Sequence, residues 1–307
     1  MKKQSNNTIT EARTMTAGRS LKKIEQLVSL LPFGIGTGKP VVAVLRLDGV
    51  IGKVGVTKSG LTLCSLNPLI EKAFKIERLK AVCLCINSPG GSPVQSELIA
   101  NRIIELAKEK DIPVYSFIED VAASGGYWLA CAGNKIFASK SSLVGSIGVI
   151  SSGFGFHEAI GRVGIERRVY TQGKTKSVLD PFQPEKESDI KIIKKIQKEI
   201  HEHFINSVKA RRGGKLTQSD DILFNGEFWS GQVAVDYGLV DEINNLYTFI
   251  KSKFGDEVKI EHIEQKQPWF KKKLGISFSA PEFADTLANS VIDAVENKLS
   301  NGKFNLR

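Results

Sequence analysis

The sequence predicts an α/β fold of stacked βαβ units. Two observations carry this reading. Three short stretches, beginning at Val41, Lys80 and Pro113, are almost wholly apolar. That is the pattern of strands covered on both faces of a sheet. Between them lie segments with apolar residues at helical spacing, so strands and helices alternate, as right-handed crossovers require.

The elements follow in order. VVAVLRLDGVIG from Val41 reads as a buried strand ending in glycines, and Leu66–Glu77 as a helix. Lys80–Asn87 is the second strand. Ser96–Lys110 follows as a helix through Leu98, Ile99, Ile103 and Leu106. Pro113–Ile118 is a third strand, Gly125–Cys131 a short helix and Lys135–Ala138 a short strand. Glu187–Arg212 is a long helix with Ile193, Ile196, Ile200, Phe204 and Val208 on one stripe, stopped by Gly213 and Gly214. Phe224–Ile243 reads as a compact turn, helix and strand.

Composition divides the chain into three parts. Residues 1–40 are a basic extension and a Gly-rich linker, with Leu21, Ile24, Leu27 and Leu31 at helical spacing. Residues 41–250 form the core domain. Residues 251–307 are a lysine-rich tail. It carries Trp269-Phe270 before Lys271–Lys273, then a final amphipathic helix with a capping box at Ser279 and Glu282.

Charge and cysteines narrow the function classes. A formal net charge of +10 over 307 residues favours acidic partners, such as an anionic lipid surface. No nucleic-acid signature accompanies the charge, so nucleic acid is not an expected partner. Four cysteines do not make a disulfide framework. Cys83 and Cys85 alternate on one face of a strand and read as core. No residues lie at zinc spacing, so no metal is expected. The best apolar run near the N-terminus is too short to span a bilayer and lacks a small-residue cleavage site. The expected location is therefore cytoplasmic. The basic, apolar-flanked ends either dock on protein or make peripheral contact with the inner membrane.

The chemistry concentrates at two glycine-rich turns. VAASGGY (Val121–Tyr127) places Ser124 between a strand and a helix, where unpaired N–H groups favour a developing alkoxide. An N-cap serine reads the same way. INSPGG (Ile86–Gly91) ends a strand and opens a helix, so backbone N–H groups there can face a carbonyl oxygen. A plain strand-to-helix turn also uses Pro and Gly. Together the two turns resemble a nucleophile and an oxyanion hole. The histidines offer poor bases. His201 and His203 sit among charges on the long helix, His262 in the tail, and His157 has the look of a structural residue. Lys174 and Lys176 in TQGKTKS are the alternative, each also readable as a surface lysine. A lysine acts as base only when neutral.

Five ordered blocks then carry a resemblance: INSPGG, VAASGGYWLA, LVGSIGV, YTQGKTKS and FNGEFWSGQVAVDYGLVDE. They resemble the signal peptide peptidase A (protease IV) family, which includes SohB-like peptidases, over about Val41 to Ile243. The resemblance implies a ClpP/crotonase-like fold and a serine peptidase with a Ser–Lys dyad and no cofactor. It makes Ser124 the nucleophile, Lys176 the base and Ser146 the hydroxyl that orients the lysine. The backbone N–H groups of Gly91 and Ser124 become the oxyanion donors, with Gly90 adjacent. Ser92, Gly125 and Tyr127 fall beside the expected substrate groove. It also implies a homo-oligomer in which neighbouring subunits complete sites. Implied substrates are signal-peptide remnants and unfolded or membrane-derived polypeptides.

Two departures stand out. Bacterial members commonly carry an N-terminal membrane anchor, and none is expected here; Ser177 follows the lysine where family members often carry an acidic or basic residue. Other uses of the scaffold are a ClpP-like peptidase, a crotonase, or a catalytically inactive scaffold at a membrane. GSIGVISS holds no ClpP-like histidine, and no basic adenine-binding pattern suits a crotonase.

Overall fold

A computed structural model describes residues 38–54, 58–173 and 175–264. The two basic, apolar-flanked ends, including Leu21–Leu31, Trp269–Lys273 and the helix capped at Ser279, lie outside them, as does Lys174.

The described chain is the expected α/β fold. Its strands are β1 (Val41–Asp48), the hairpin pair β2 (Lys53–Val54) and β3 (Lys58–Ser59), β4 (Leu79–Ser88), β5 (Val114–Ala123), β6 (Lys135–Ala138), β7 (Leu143–Gly145), β8 (Phe228–Ser230), β9 (Glu242–Ile243) and β10 (Lys259–Ile263). Its helices are α1 (Leu63–Phe74), α2 (Pro93–Lys110), α3 (Gly125–Ala130), α4 (His157–Arg162), α5 (Glu187–Arg212), α6 (Asp220–Leu223), α7 (Gly231–Asp236) and α8 (Leu246–Phe254).

The main sheet runs β10-β1-β4-β5-β6-β9, all neighbours parallel. β5 is long enough to serve two partners. Tyr115–Ile118 pair with β6, and Val121–Ala123 pair with β7, which turns antiparallel to β8. The strand therefore divides at its C-terminal half, and the serine turn sits directly past the division.

Helices α1, α2 and α3 cover one face. Leu45, Leu47, Ile51, Ile70, Leu84, Ile86, Ile99 and Ile103 are shut off from solvent there. Each such side chain contributes about 1.5–3 kcal/mol when fully buried. Helix α1 starts at Leu63, ahead of the expected Leu66, because Thr62 and Ser65 form a capping box. The opposite face carries a smaller cluster of Val42, Val44, Tyr115, Phe117 and Phe137 under Phe249 of α8.

One boundary differs from the sequence expectation. β10 pairs with β1 from Val41↔Lys259 to Leu45↔Ile263, and α8 runs past residue 250. The core thus extends to Ile263 instead of ending at 250. Lys251, Lys253 and Lys259 make this stretch read as tail in sequence, but Phe249 and Ile250 ahead of it and Ile263 at its end are buried. An edge strand needs only one apolar face.

The cysteines pack as expected. Cys83, Cys85 and Cys131 are buried and Cys64 is exposed, all as free thiols. Burial pushes the Cys85 thiol up to about 11 and the Cys131 thiol up to about 12. Thiolate is the reactive form. Iodoacetamide at neutral pH should therefore add about one carbamidomethyl group to the native protein, at Cys64, and four after unfolding. Intact-mass spectrometry reads both.

Candidate functional site

Ser124 follows the last residue of β5 at φ 52°, ψ −124°, a region that non-glycine residues rarely occupy. Three bonds hold it there. Its N–H donates to the Gly145 carbonyl (2.8 Å), and its own carbonyl accepts from the N–H groups of Tyr127 (2.9 Å) and Trp128 (3.2 Å). The hydroxyl does not cap α3. The N-cap alternative thus has no bond to support it. The backbone is bent to present a hydroxyl at the end of a strand and the start of a helix, as nucleophile elbows do.

The glycine pair packs against this turn. A Cβ on Gly90 would stand 2.8 Å from the Ser124 Cβ, and one on Gly91 2.0 Å from the Ile51 carbonyl oxygen. Both residues also sit at positive φ, 103° and 143°. Only glycine meets both conditions. The bridge between Ile51 and Gly91 uses flanking groups: Ile51 N–H donates to the Gly90 carbonyl, and Ser92 N–H donates to the Ile51 carbonyl. Gly91 is left with its N–H facing away from that bridge.

The expected oxyanion pair needs one correction. The Ser124 N–H is held by Gly145 through the β5–β7 pairing, so it cannot also meet an oxyanion. Gly125 opens α3, and the first N–H groups of a helix have no partner within it. Among the described residues, Gly91 and Gly125 donate to no backbone carbonyl. Both border the cleft that Ser124 enters, together with Pro93, Trp128, Gly148, Val149, Ile200 and Phe204.

Ser146 comes to the same place by register. Ala123 pairs with Gly145, so the residues that follow, Ser124 and Ser146, leave adjacent strands side by side. Ser146 is half-buried at φ 52°, and its N–H donates to the Glu227 carbonyl (2.7 Å).

Lys176 is placed differently. It lies on a turn closed by its N–H to the Gly173 carbonyl (3.2 Å), is exposed, and does not border the cleft at Ser124. The turn belongs to an arm spanning residues 149–186. The arm has its own small framework: Phe156 contacts Phe154 and Phe182, and Asp180 accepts from Arg167, Ser177 and the Phe182 N–H. Yet Ile150, Val163, Ile165 and Tyr170 are 59–91% exposed. The first half of α5 shares this exposure. Its expected apolar stripe is buried only at Phe204 and Val208, while Ile196 is 43% exposed.

The groove residues separate. Gly125 borders the cleft. Ser92 is the N-cap of α2, its hydroxyl accepting from Gln95 N–H. Tyr127 is shut inside the core with its hydroxyl donating to the Leu239 carbonyl (2.8 Å), so it cannot line a groove. A tyrosine two residues past a helix start points back into the sheet. Its neighbour Trp128 takes the cleft position instead, stacked on Phe204 with ring centroids 4.6 Å apart.

No histidine borders the cleft. His157, His203 and His262 are exposed. His201 is half-buried, off the solvated face expected for it, with Nε2 3.0 Å from the Ile147 carbonyl. A cavity of about 590 Å³ lies on the α8 side of the sheet, bordered by Arg46, Glu119, Asp120 and His262, and contains none of the candidate catalytic residues. Among the described residues no cluster suits a metal ion, and no helix is long and apolar enough to cross a membrane.

Comparison with known proteins gives one family match. The profile of Peptidase family S49 matches residues 106–259. Among curated proteins, the chain is 43% identical over 287 residues to the Na(+)/H(+) antiporter NhaA of Brucella melitensis biotype 1, covering 91% of this chain and 39% of that protein. It is 28% identical over 269 residues to the chloroplastic serine protease SPPA of Arabidopsis thaliana, covering 84% and 38%. It is 30% identical over 207 residues to Protease 4 of Haemophilus influenzae, covering 66% and 33%. The chain thus spans a third to two fifths of the length of these relatives.

Proposed function

The chain belongs to peptidase family S49, and from that premise we propose that it is a serine peptidase using Ser124 with Lys176 as its base. The observation that carries this reading is Ser124 itself: a serine at positive φ, uncapped, packed on Gly90 and facing a cleft. The Ser124 Oγ attacks the scissile carbonyl carbon while the neutral lysine amine takes its proton. The N–H groups of Gly91 and Gly125 hold the oxyanion. The C–N bond then breaks, the lysine returns the proton to the leaving amine, and water hydrolyses the acyl-enzyme by the same route.

The base is proposed to arrive from a neighbouring copy in a homo-oligomer. Lys176 rides on an arm whose Ile150, Val163, Ile165 and Tyr170 are exposed, and such a surface calls for a cover. Covering the arm buries the lysine, and burial disfavours the ammonium form. Ser146, beside Ser124, is the hydroxyl proposed to orient it. The proposed substrates are signal-peptide remnants or unfolded membrane-derived chains, and the apolar residues Val149, Ile200, Phe204 and Trp128 beside Ser124 are in keeping with them.

A fluorophosphonate probe should label the parent protein at Ser124, read by peptide mapping. Labelling of Ser124→Ala at the parental rate would overturn the assignment, and absence of labelling in the parent oligomer would favour an inactive scaffold.

A further inference from the structure

We infer that His201 is a positioning residue, which holds the Ser146 loop to the helix that closes the cleft; the inference rests on the dyad reading above. The loop Gly145–Gly148 is bent at two successive residues, Gly145 at φ 124° and Ser146 at φ 52°. Its bonds to the rest of the chain come from three sides, the first being Ser124 N–H to the Gly145 carbonyl. Ser146 N–H donates to Glu227 ahead of β8, and Gly148 N–H turns back to the Ser146 carbonyl (2.9 Å). From the opposite side, His201 of α5 meets the Ile147 carbonyl at 3.0 Å. A carbonyl can only accept, so the Nε2 carries the proton.

The placement gives the bond its leverage. The Ile147 side chain is 0% exposed, locked in the main core. His201 fixes the peptide between Ile147 and Gly148, and the core fixes the Ile147 side chain, so the residue after Ser146 is held at both its side chain and its carbonyl. With Ile147 held, the backbone leaving Ser146 is held, and the Ser146 side chain projects from that backbone. The same helix carries Ile200 and Phe204 to the cleft wall. One hydrogen bond therefore couples the wall of the cleft to the hydroxyl proposed to orient the lysine. His201 itself does not border the cleft, so its effect passes through Ser146.

The test is a double-mutant cycle on hydrolysis of fluorescently labelled casein, with thermal unfolding of each variant. His201→Leu removes the donor, and His201→Gln returns an amide N–H at the Nε2 position. His201→Leu should lower kcat about tenfold, the rate equivalent of one hydrogen bond, with KM changed less than twofold. His201→Gln should recover most of the loss. In a Ser146→Ala background, itself about 10 to 1,000-fold slowed, His201→Leu should add nothing. If His201→Leu folds poorly, His201→Asn, whose amide falls short of the carbonyl, carries the same expectation. Parental kcat in the donor-less variant, or an undiminished tenfold loss in the Ser146→Ala background, would overturn the inference. Ser124→Ala run alongside separates the two readings. If it retains activity the dyad fails, whereas an inactive Ser124→Ala beside a fully active His201→Leu sinks only the role of His201.

Discussion

Chains carrying Ser124→Ala and chains carrying Lys176→Ala, co-expressed, should regain casein hydrolysis that neither has alone. Each single substitution removes half of a unit that acts together, so each should cost at least about a thousandfold. Their losses should not add in the double variant. Recovery on mixing follows from placement. Ser124 borders the cleft with Gly91 and Gly125, while Lys176 stands exposed and does not border that cleft in the single chain. If a neighbour supplies the lysine, random co-assembly gives about a quarter of sites an intact serine beside an intact lysine. A dyad within one chain would yield no recovery at any mixing ratio. Size-exclusion chromatography of the mixture separates failure to assemble from failure to complement.

The second large effect is on stability. Arg212, 3% exposed at the end of α5, bonds to the Asp241 carboxylate at 2.5 Å and to the Gly238 carbonyl at 2.6 and 3.0 Å. Asp241 also accepts from Lys215 at 2.6 Å and from the Ile136 N–H at 2.7 Å. This cluster ties α5 to β6 and to the chain entering β9. Burial by itself would raise the Asp241 pKa. The bonds to Lys215, Arg212 and Ile136 outweigh it and hold the carboxyl below the usual carboxylate range. Asp241→Ala leaves a buried guanidinium without its counter-ion. It should cost about 3–5 kcal/mol and lower the thermal midpoint by about 6–20 °C. The pH dependence follows from the sign. A depressed carboxylate stabilises the fold above the ordinary Asp range, and that stability disappears as pH falls through the lowered value. Parent and variant should thus converge in midpoint under acid and diverge towards neutral pH. A constant gap across pH would show that the loss is packing alone.

The sequence by itself determined the order of strands and helices. The apolar runs at β1, β4 and β5 must be buried on both faces, and only a parallel sheet under helices does that. It also determined the chemistry on offer. A serine between strand and helix and a Pro-Gly-Gly turn are local features, written in consecutive residues, and their meeting at Gly90 and Ser124 follows from β4 lying beside β5. Tertiary structure decided what those residues can do. The Ser124 N–H is unavailable because β7, more than twenty residues later, pairs with β5. Tyr127 faces the core and Trp128 the cleft, a difference of one helix position that spacing in GGYWLA does not reveal. His201 reads as a solvated residue among Glu and Lys, yet the loop after β7 passes beneath it. β10 reads as tail because charged residues surround its two isoleucines, while a sheet edge asks only for one apolar face. Local pattern records which groups a segment carries. Long-range pairing decides which backbone donors remain free and which faces meet, because each hydrogen bond formed across the fold removes one that the site could have used.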